Sequence, residues 1–473
     1  MRPFVIPYCW LTLALSGIGS RLAVAEVIHL KNGDVIYADR AKETETQVQY
    51  EVGDNTYTIP KSRVQSIEQA AVAVSRPSPL TTLPTYVPSS PSGDHGELLG
   101  QIIHGGQVNR EALAAIESHG NPSETAIAFY VAARQEFQDG KYSEARRDFE
   151  TALRQDPRNP AVLNYYAALL VRTGDPGEAL SYAERAVQLV PDSADAFAVL
   201  GYAQFASAHL KEAILSLKHS LALRPDSSIQ QLLGRAEREA AAESNYSERD
   251  AGHFVLRYEG KQSSEGFRRL ILSTLEADYG DLTRDFGIEP RSSIQIVLYT
   301  NQDFFDVTRA PSWTGAINDG KLRIPLQGLD SVTPDLARIL KHELAHSFVN
   351  QLAAGRCPHW LNEGIAQMLE PASLAPRGSK LAELFKLERE IPLNSLEGAF
   401  MSFSGQEAAL AYDESLATVE YMRASFGMSD VLGILERLAR GESVESAMRA
   451  TIHCDYRQLQ GDVGAYLLHQ FGS

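Results

Sequence analysis

Apolar and polar positions alternate in short runs over residues 26–69: Val27-Ile28-His29-Leu30, Val35-Ile36-Tyr37, Val48-Gln49-Tyr50-Glu51-Val52 and Thr56-Tyr57-Thr58-Ile59. Asn32-Gly33-Asp34 and Gly53-Asp54-Asn55 punctuate them. A period of two between turn residues predicts a small antiparallel sheet. Further on the period becomes helical and repeats. Pro157, Pro191 and Pro225 are 34 residues apart, and Ala145, Ala179 and Ala213 stand in the same register, as do Phe149, Ala183 and Leu217, then Ala152, Ala186 and Ser220. Small residues recurring at fixed points of a helical repeat mark helix crossings, so stacked helix pairs are predicted. After Ser244 the pattern turns mixed. Residues 254–258, 294–299 and 321–326 read as strands, 265–286 as a long amphipathic helix, and 428–473 as closing helices.

Composition shifts divide the chain further. Residues 70–122 are rich in Pro, Ser, Thr and Gly, as in Pro88-Ser89-Ser90-Pro91-Ser92-Gly93, and read as a linker with one short helix near Arg110 to Ser118. The first 25 residues carry Arg2, an apolar stretch from Trp10 to Ile18 and the small-residue site Ala23-Val24-Ala25, the plan of a cleaved export signal. No later stretch has 18 uninterrupted apolar residues, so no membrane span is expected. Removing Arg2 and Arg21 takes away two positive charges and moves the formal charge from -16 to -18. An acidic surface of that size argues against nucleic acid and anionic membranes as partners. Cys357 and Cys454 remain after processing, with a disulfide and two separate thiols both open.

The chemistry is concentrated at His342-Glu343-Leu344-Ala345-His346. Histidines at i and i+4 share a helix face and can reach one ion, while Glu343 is turned aside to take a proton from a metal-bound water. Thr333 as N-cap, Pro334 at the first turn and Gly355 beyond the end bound that helix. A catalytic zinc needs three protein ligands. Sixteen residues separate His346 from Glu363, enough chain for the second helix of Trp360-Leu361-Asn362-Glu363-Gly364-Ile365-Ala366 to return Glu363 to the metal. By spacing alone, His359 is an alternative third ligand.

His-Glu-x-x-His followed by Asn-Glu-Gly-x-Ala resembles the gluzincin metallopeptidases, most of all the bacterial peptidase-MA-like domains that occur beside tetratricopeptide repeats. The 34-residue period resembles that repeat. The resemblance implies one Zn2+ per chain on His342, His346 and Glu363, with Glu343 as general base. It implies Tyr412, in Ala411-Tyr412-Asp413-Glu414-Ser415, as oxyanion donor, whereas Tyr421 reads as core. The chain departs from the pattern at Gln367, where thermolysin-like enzymes place an acid that orients a histidine. Asn362 is placed to hydrogen-bond near the site. Residues 321–326 are expected to be an edge strand that pairs with a peptide substrate, with 313–320 as the loop over the cleft.

The expected architecture is multidomain. It comprises an export signal (1–25), an SH3- or Sm-like β module (26–69), a linker (70–122), an α-helical repeat array of three repeats and a closing helix (126–242), and an α+β gluzincin-like metallopeptidase domain (250–473). The implied function is an exported, periplasmic zinc peptidase acting on peptides or proteins, whose repeats bind a protein partner or the substrate. An envelope interaction scaffold with a weakly active or inactive protease-like domain is the alternative.

Overall fold

The computed structural model describes residues 26–31, 35–38, 40–52, 55–69, 87–88, 100–310, 315–326, 329–370, 372–398, 400, 403 and 405–472. The export segment, the turn residues 32–34 and 53–54, most of the linker and residues 311–314, which include the first two of the expected cleft loop, lie outside them. The chain divides into two compact units, up to Val74 and from Ser75 onward.

In the first unit, β1 (Glu26–Leu30), β2 (Val35–Ala38) and β6 (Val64–Gln69) form one antiparallel sheet in the order β2-β1-β6. A second sheet contains β3 (Arg40–Glu43), β4 (Gln47–Val52) and β5 (Asn55–Pro60). Alternation brings Ile28 and Leu30 to one face, where they bury with Val48 and Val64.

The second unit opens with a hairpin, β7 (Ile103–His104) and β8 (Gln107–Val108), and helix α1 (Arg110–Ser118). Three helix pairs follow: α2 (Pro122–Gln138) with α3 (Tyr142–Gln155), α4 (Pro160–Arg172) with α5 (Pro176–Leu189), and α6 (Ala194–Ala206) with α7 (Leu210–Leu223). Helix α8 (Ser227–Ala242) closes the array. Ala145, Ala179 and Ala213 are fully buried, as crossing points require. The turn inside each pair has positive φ, 75° at Gly140, 87° at Gly174 and 62° at Ala208, where a side chain is tolerated in a conformation that favours glycine.

Those three turns are also where the C-terminal region docks. A Cβ on Gly140 would overlap the Arg356 guanidinium, and Gly441 backs onto the Gly140 main chain. Ser292 Oγ donates to Gly174 O at 3.2 Å and Arg291 pairs with Asp175 at 3.3 Å. Arg257 Nη1 donates to Ala208 O at 3.0 Å. The repeat spacing thus supplies three successive anchor points along one edge of the array.

The C-terminal region is built on a five-stranded mixed sheet in the order β12-β13-β11-β10-β9, from β9 (Ser247–Ala251), β10 (Phe254–Tyr258), β11 (Ile294–Tyr299), β12 (Ile317–Asn318) and β13 (Lys321–Pro325). Strands β10, β11 and β13 are parallel, and the outer two are antiparallel. Helix α9 (Glu265–Phe286) connects β10 to β11 and packs on α11 (Pro334–Leu352), and α10 (Asn301–Thr308) follows β11. The strand at 321–325 is not the edge expected from sequence. The chain doubles back at Asp319-Gly320 (φ 96° at Gly320), and the short β12 covers β13.

A buried charge network fixes this hairpin to the array. Glu239 of α8, wholly buried, accepts from Lys321 Nζ at 3.0 Å and from Arg323 Nη2 at 2.8 Å. Arg323 Nε also reaches Asp319 at 2.9 Å and its Nη1 reaches Tyr299 Oη at 2.8 Å, while Arg235 pairs with Asp319. Each charge has opposite-charge partners, the condition for burying it at all.

Candidate metal centre

Helix α11 starts where sequence places it. Thr333 Oγ1 accepts from Leu336 N at 3.2 Å and Pro334 occupies the first turn. One turn apart on its inner face, the His342 and His346 rings lie 4.7 Å apart by their centres. After a turn through Gly355 (φ 69°), α12 (His359–Leu369) folds back across α11. Beyond α13 (Gly378–Lys386), α14 (Gly405–Phe426) presses against α12, which Gly364 allows, since a Cβ there would stand 2.4 Å from Ser415 O.

This packing brings His342, His346 and Glu363 together, with one nitrogen or oxygen from each within 4.8 Å of the others. Glu363 Oε2 lies 3.2 Å from His342 Nε2, and Oε1 lies 3.8 Å from His346 Nε2. Glu363 Oε2 is nonetheless buried without a hydrogen bond. Electron-pair donors that converge at this spacing, one of them a buried carboxylate with an unused oxygen, fit a divalent cation.

The outer ring nitrogens face orienting groups. His346 Nδ1 is 2.8 Å from Asn362 Oδ1, a hydrogen bond that turns Nε2 inward. His342 Nδ1 is 3.5 Å from Glu370 Oε2, a contact without hydrogen-bond geometry. Position 367, expected to be acidic, is Gln367, whose Nε2 donates to Tyr412 O at 2.9 Å and ties α12 to α14. The carboxylate facing His342 comes instead from Glu370, the C-cap of α12, seven residues beyond Glu363 and outside the four-residue spacing of the thermolysin-like pattern. The signal was in the sequence: positions 363, 367 and 370 share a helix face.

The electrostatics follow from burial and proximity. Burial opposes ionisation of Glu363, but His346 and His342 outweigh it and hold the carboxyl at about 2. Burial lowers His346 to about 4. At His342 burial is overcome by Glu363 and Glu370, which raise the imidazole well above its usual range. Burial pushes Glu343 up to about 8; His342 opposes this, and Glu363 and Glu370 reinforce it. Its main-chain oxygen accepts from Asn318 Nδ2 at 2.7 Å, which couples β12 to the centre of α11. Asn318 carried no signal in the sequence pattern.

Tyr412 lies on α14 with its ring edge-on to Phe400 at 5.4 Å. Burial, then Glu363 and Glu343, hold its hydroxyl well above its ordinary value, so it stays protonated beside the two carboxyls. Tyr421 packs against Phe426 and Tyr466, away from this group. His359 is buried, 3.4 Å from Glu363 Oε1 and edge-on to Phe400 at 4.4 Å, and stands outside the three-residue cluster. Cys357 and Cys454 are free thiols in the same core. Among the described residues no helix is long and apolar enough to cross a membrane.

The Peptidase MA superfamily matches residues 277–469, and two tetratricopeptide repeat families match residues 130–194 and 170–236. The chain therefore carries a Peptidase MA superfamily domain preceded by tetratricopeptide repeats, the architecture expected from its motifs. Among solved structures, the first such repeat domain of Spaghetti (RPAP3) bound to an HSP90 peptide is 27% identical, over 25% of this chain and 95% of that one, with a TM-score of 0.25. The first repeat domain of human RPAP3 is 26% identical, over 26% of this chain and 98% of that one, with a TM-score of 0.25. MamA from Desulfovibrio magneticus RS-1 is 20% identical, over 32% and 87%, with a TM-score of 0.24. The comparison with curated proteins gives no match.

Proposed function

We propose that this protein is an exported, periplasmic zinc peptidase that hydrolyses peptide bonds, and that its repeats recruit a protein partner or the substrate. One observation carries the reading: a buried carboxylate with an unused oxygen converges with two helix-borne imidazoles, and the buried Glu343 lies on the same helix. His342, His346 and Glu363 would hold one Zn2+. Bound there, zinc would supply Lewis acidity, lowering the pKa of a water and polarising the scissile carbonyl. Glu343 takes the proton from the attacking water and delivers it to the leaving amine. Its carboxyl, pushed up to about 8 by burial, is near the working range of a proton carrier. Tyr412 keeps its proton and donates to the oxygen that gains charge. Asn362 and Glu370 orient the imidazoles.

The test is a paired measurement of bound zinc and peptide cleavage in the processed chain and in Glu343→Gln. Zinc at about one per chain in both, with cleavage confined to the native chain, is the expected result. A native chain that binds no zinc overturns the reading. Zinc without cleavage of any peptide gives the second reading, an envelope scaffold with a weakly active or inactive protease-like domain.

A further inference from the structure

His359, the first residue of α12, is 4% exposed, and both of its ring nitrogens are buried without a hydrogen bond. The residue is firmly placed. Its main-chain N–H donates to Glu397 O at 2.9 Å, and Phe400 stands edge-on to the imidazole at 4.4 Å. An unsatisfied polar group in a core costs about 1–3 kcal/mol. Filling this space does not require one, since a leucine packs against Phe400 without that cost. What distinguishes the imidazole is the group it faces. Glu363 lies one turn along the same helix face, and His359 Nε2 is 3.4 Å from its Oε1. That separation is about 0.5 Å beyond an ordinary N–H···O bond. The other carboxylate oxygen, Oε2, is the one buried without a partner.

We infer that His359 is a positioning residue for Glu363: its Nε2–H holds Oε1 and leaves Oε2 to the cation. This deepens the zinc reading and rests on it. A neutral imidazole has one N–H, and facing a carboxylate oxygen puts it on Nε2. His359 stands outside the cluster of converging donors, so it acts through Glu363 and not as a ligand itself. Each of the three candidate ligands then has its own outer partner, and all three partners belong to α12 or its C-cap. Asn362 serves His346, Glu370 serves His342, and His359 serves Glu363. The need differs between them. An imidazole requires its ring rotation fixed, whereas a carboxylate that turns about its Cγ–Cδ bond exchanges its two oxygens. A donor anchored at the helix start selects one of them. A polar group that the fold carries at a cost to stability, beside the ligands, is what a functional placement looks like.

The test measures zinc affinity, by competition with a chelator, in the full processed chain and in His359→Leu, His359→Gln and His359→Asn. The melting temperature of each metal-stripped chain is read alongside. His359→Leu is expected to bind zinc about 10–100-fold more weakly. Its metal-stripped chain should melt at or above the native temperature, because an unpaired polar group has been removed. Glutamine places an amide N–H where Nε2 stands, whereas asparagine reaches only the Nδ1 position. His359→Gln should therefore bind zinc at least about fivefold more tightly than His359→Asn, the scale of one hydrogen bond. Native affinity in His359→Leu overturns the inference, and so do equal affinities for the glutamine and asparagine chains. Should His359→Leu melt well below the native chain or fail to fold, the glutamine–asparagine comparison decides by itself. A native chain that binds no zinc overturns the peptidase reading and this inference together. One that binds zinc with an affinity indifferent to position 359 removes this inference alone.

Discussion

Glu370 Oε2 faces His342 Nδ1 at 3.5 Å from the C-cap of the helix that carries Glu363, so one element and its end present both a candidate ligand and the group that orients another. Asn362 does the same for His346 from the residue preceding Glu363. Removing such outer partners leaves the ligands in place but frees their rings to rotate. Glu370→Ala and Asn362→Ala are each expected to weaken zinc binding by about 10–100-fold while stoichiometry at saturating metal is kept. Competition against a chelator of known affinity measures this, and unchanged affinity in both variants means the imidazoles are oriented by packing alone.

Tyr412→Phe separates chemistry from binding. The ring packs on Phe400 and survives the change, so only the hydroxyl is lost. A donor that acts mainly as charge develops contributes to kcat, so kcat is expected to fall by about 10²–10³ with little change in KM or zinc content. An unchanged kcat assigns Tyr412 to packing.

Helix periods, caps and the two motifs made the repeat array and α11 legible, because each is carried by residues close in sequence. What stayed hidden depends on partners distant in sequence or on polar strands. Strand β9 reads Ser-Glu-Arg-Asp-Ala, with no apolar alternation to betray it, and exists because Ser247 to Ala251 pair with β10. The β12–β13 hairpin was announced only by Asp319-Gly320, and its strand is two residues long. Lys321 and Arg323 look like an exposed polar face in sequence. They are buried because Glu239, over 80 residues earlier, comes to meet them.

That network is expected to be brittle. Burial disfavours the Glu239 carboxylate, yet Arg323, Lys321 and Arg235 hold it well below the usual carboxylate range. Glu239→Ala leaves the buried Lys321 and Arg323, and the partly buried Arg235, short of a partner and is expected to cost about 3–5 kcal/mol. Denaturant unfolding of the native and variant chains checks this. A loss below about 1 kcal/mol, the value of an exposed pair, would mean that water reaches the network.

Glu414, two residues beyond Tyr412 on α14, gives the fold a pH dependence. It is buried, and its Oε1 accepts from Ile391 N at 3.0 Å. Burial pushes its carboxyl up to about 8; the Ile391 N–H opposes the rise, and Glu390 and Asp413 add to it. In the unfolded chain the group titrates near 4.3. The folded state therefore holds the proton more tightly, so this stabilisation is complete below about pH 4 and is lost as pH rises towards 8. Glu414→Gln keeps the acceptor for Ile391 N and removes the charge, so its melting temperature should match the native chain near pH 4 and exceed it by about 3 °C or more at pH 9. Melting curves from pH 4 to 9 test the sign as well as the size: a native chain that gains stability relative to Glu414→Gln as pH rises would show that Glu414 is paired, not stranded, in its ionised form.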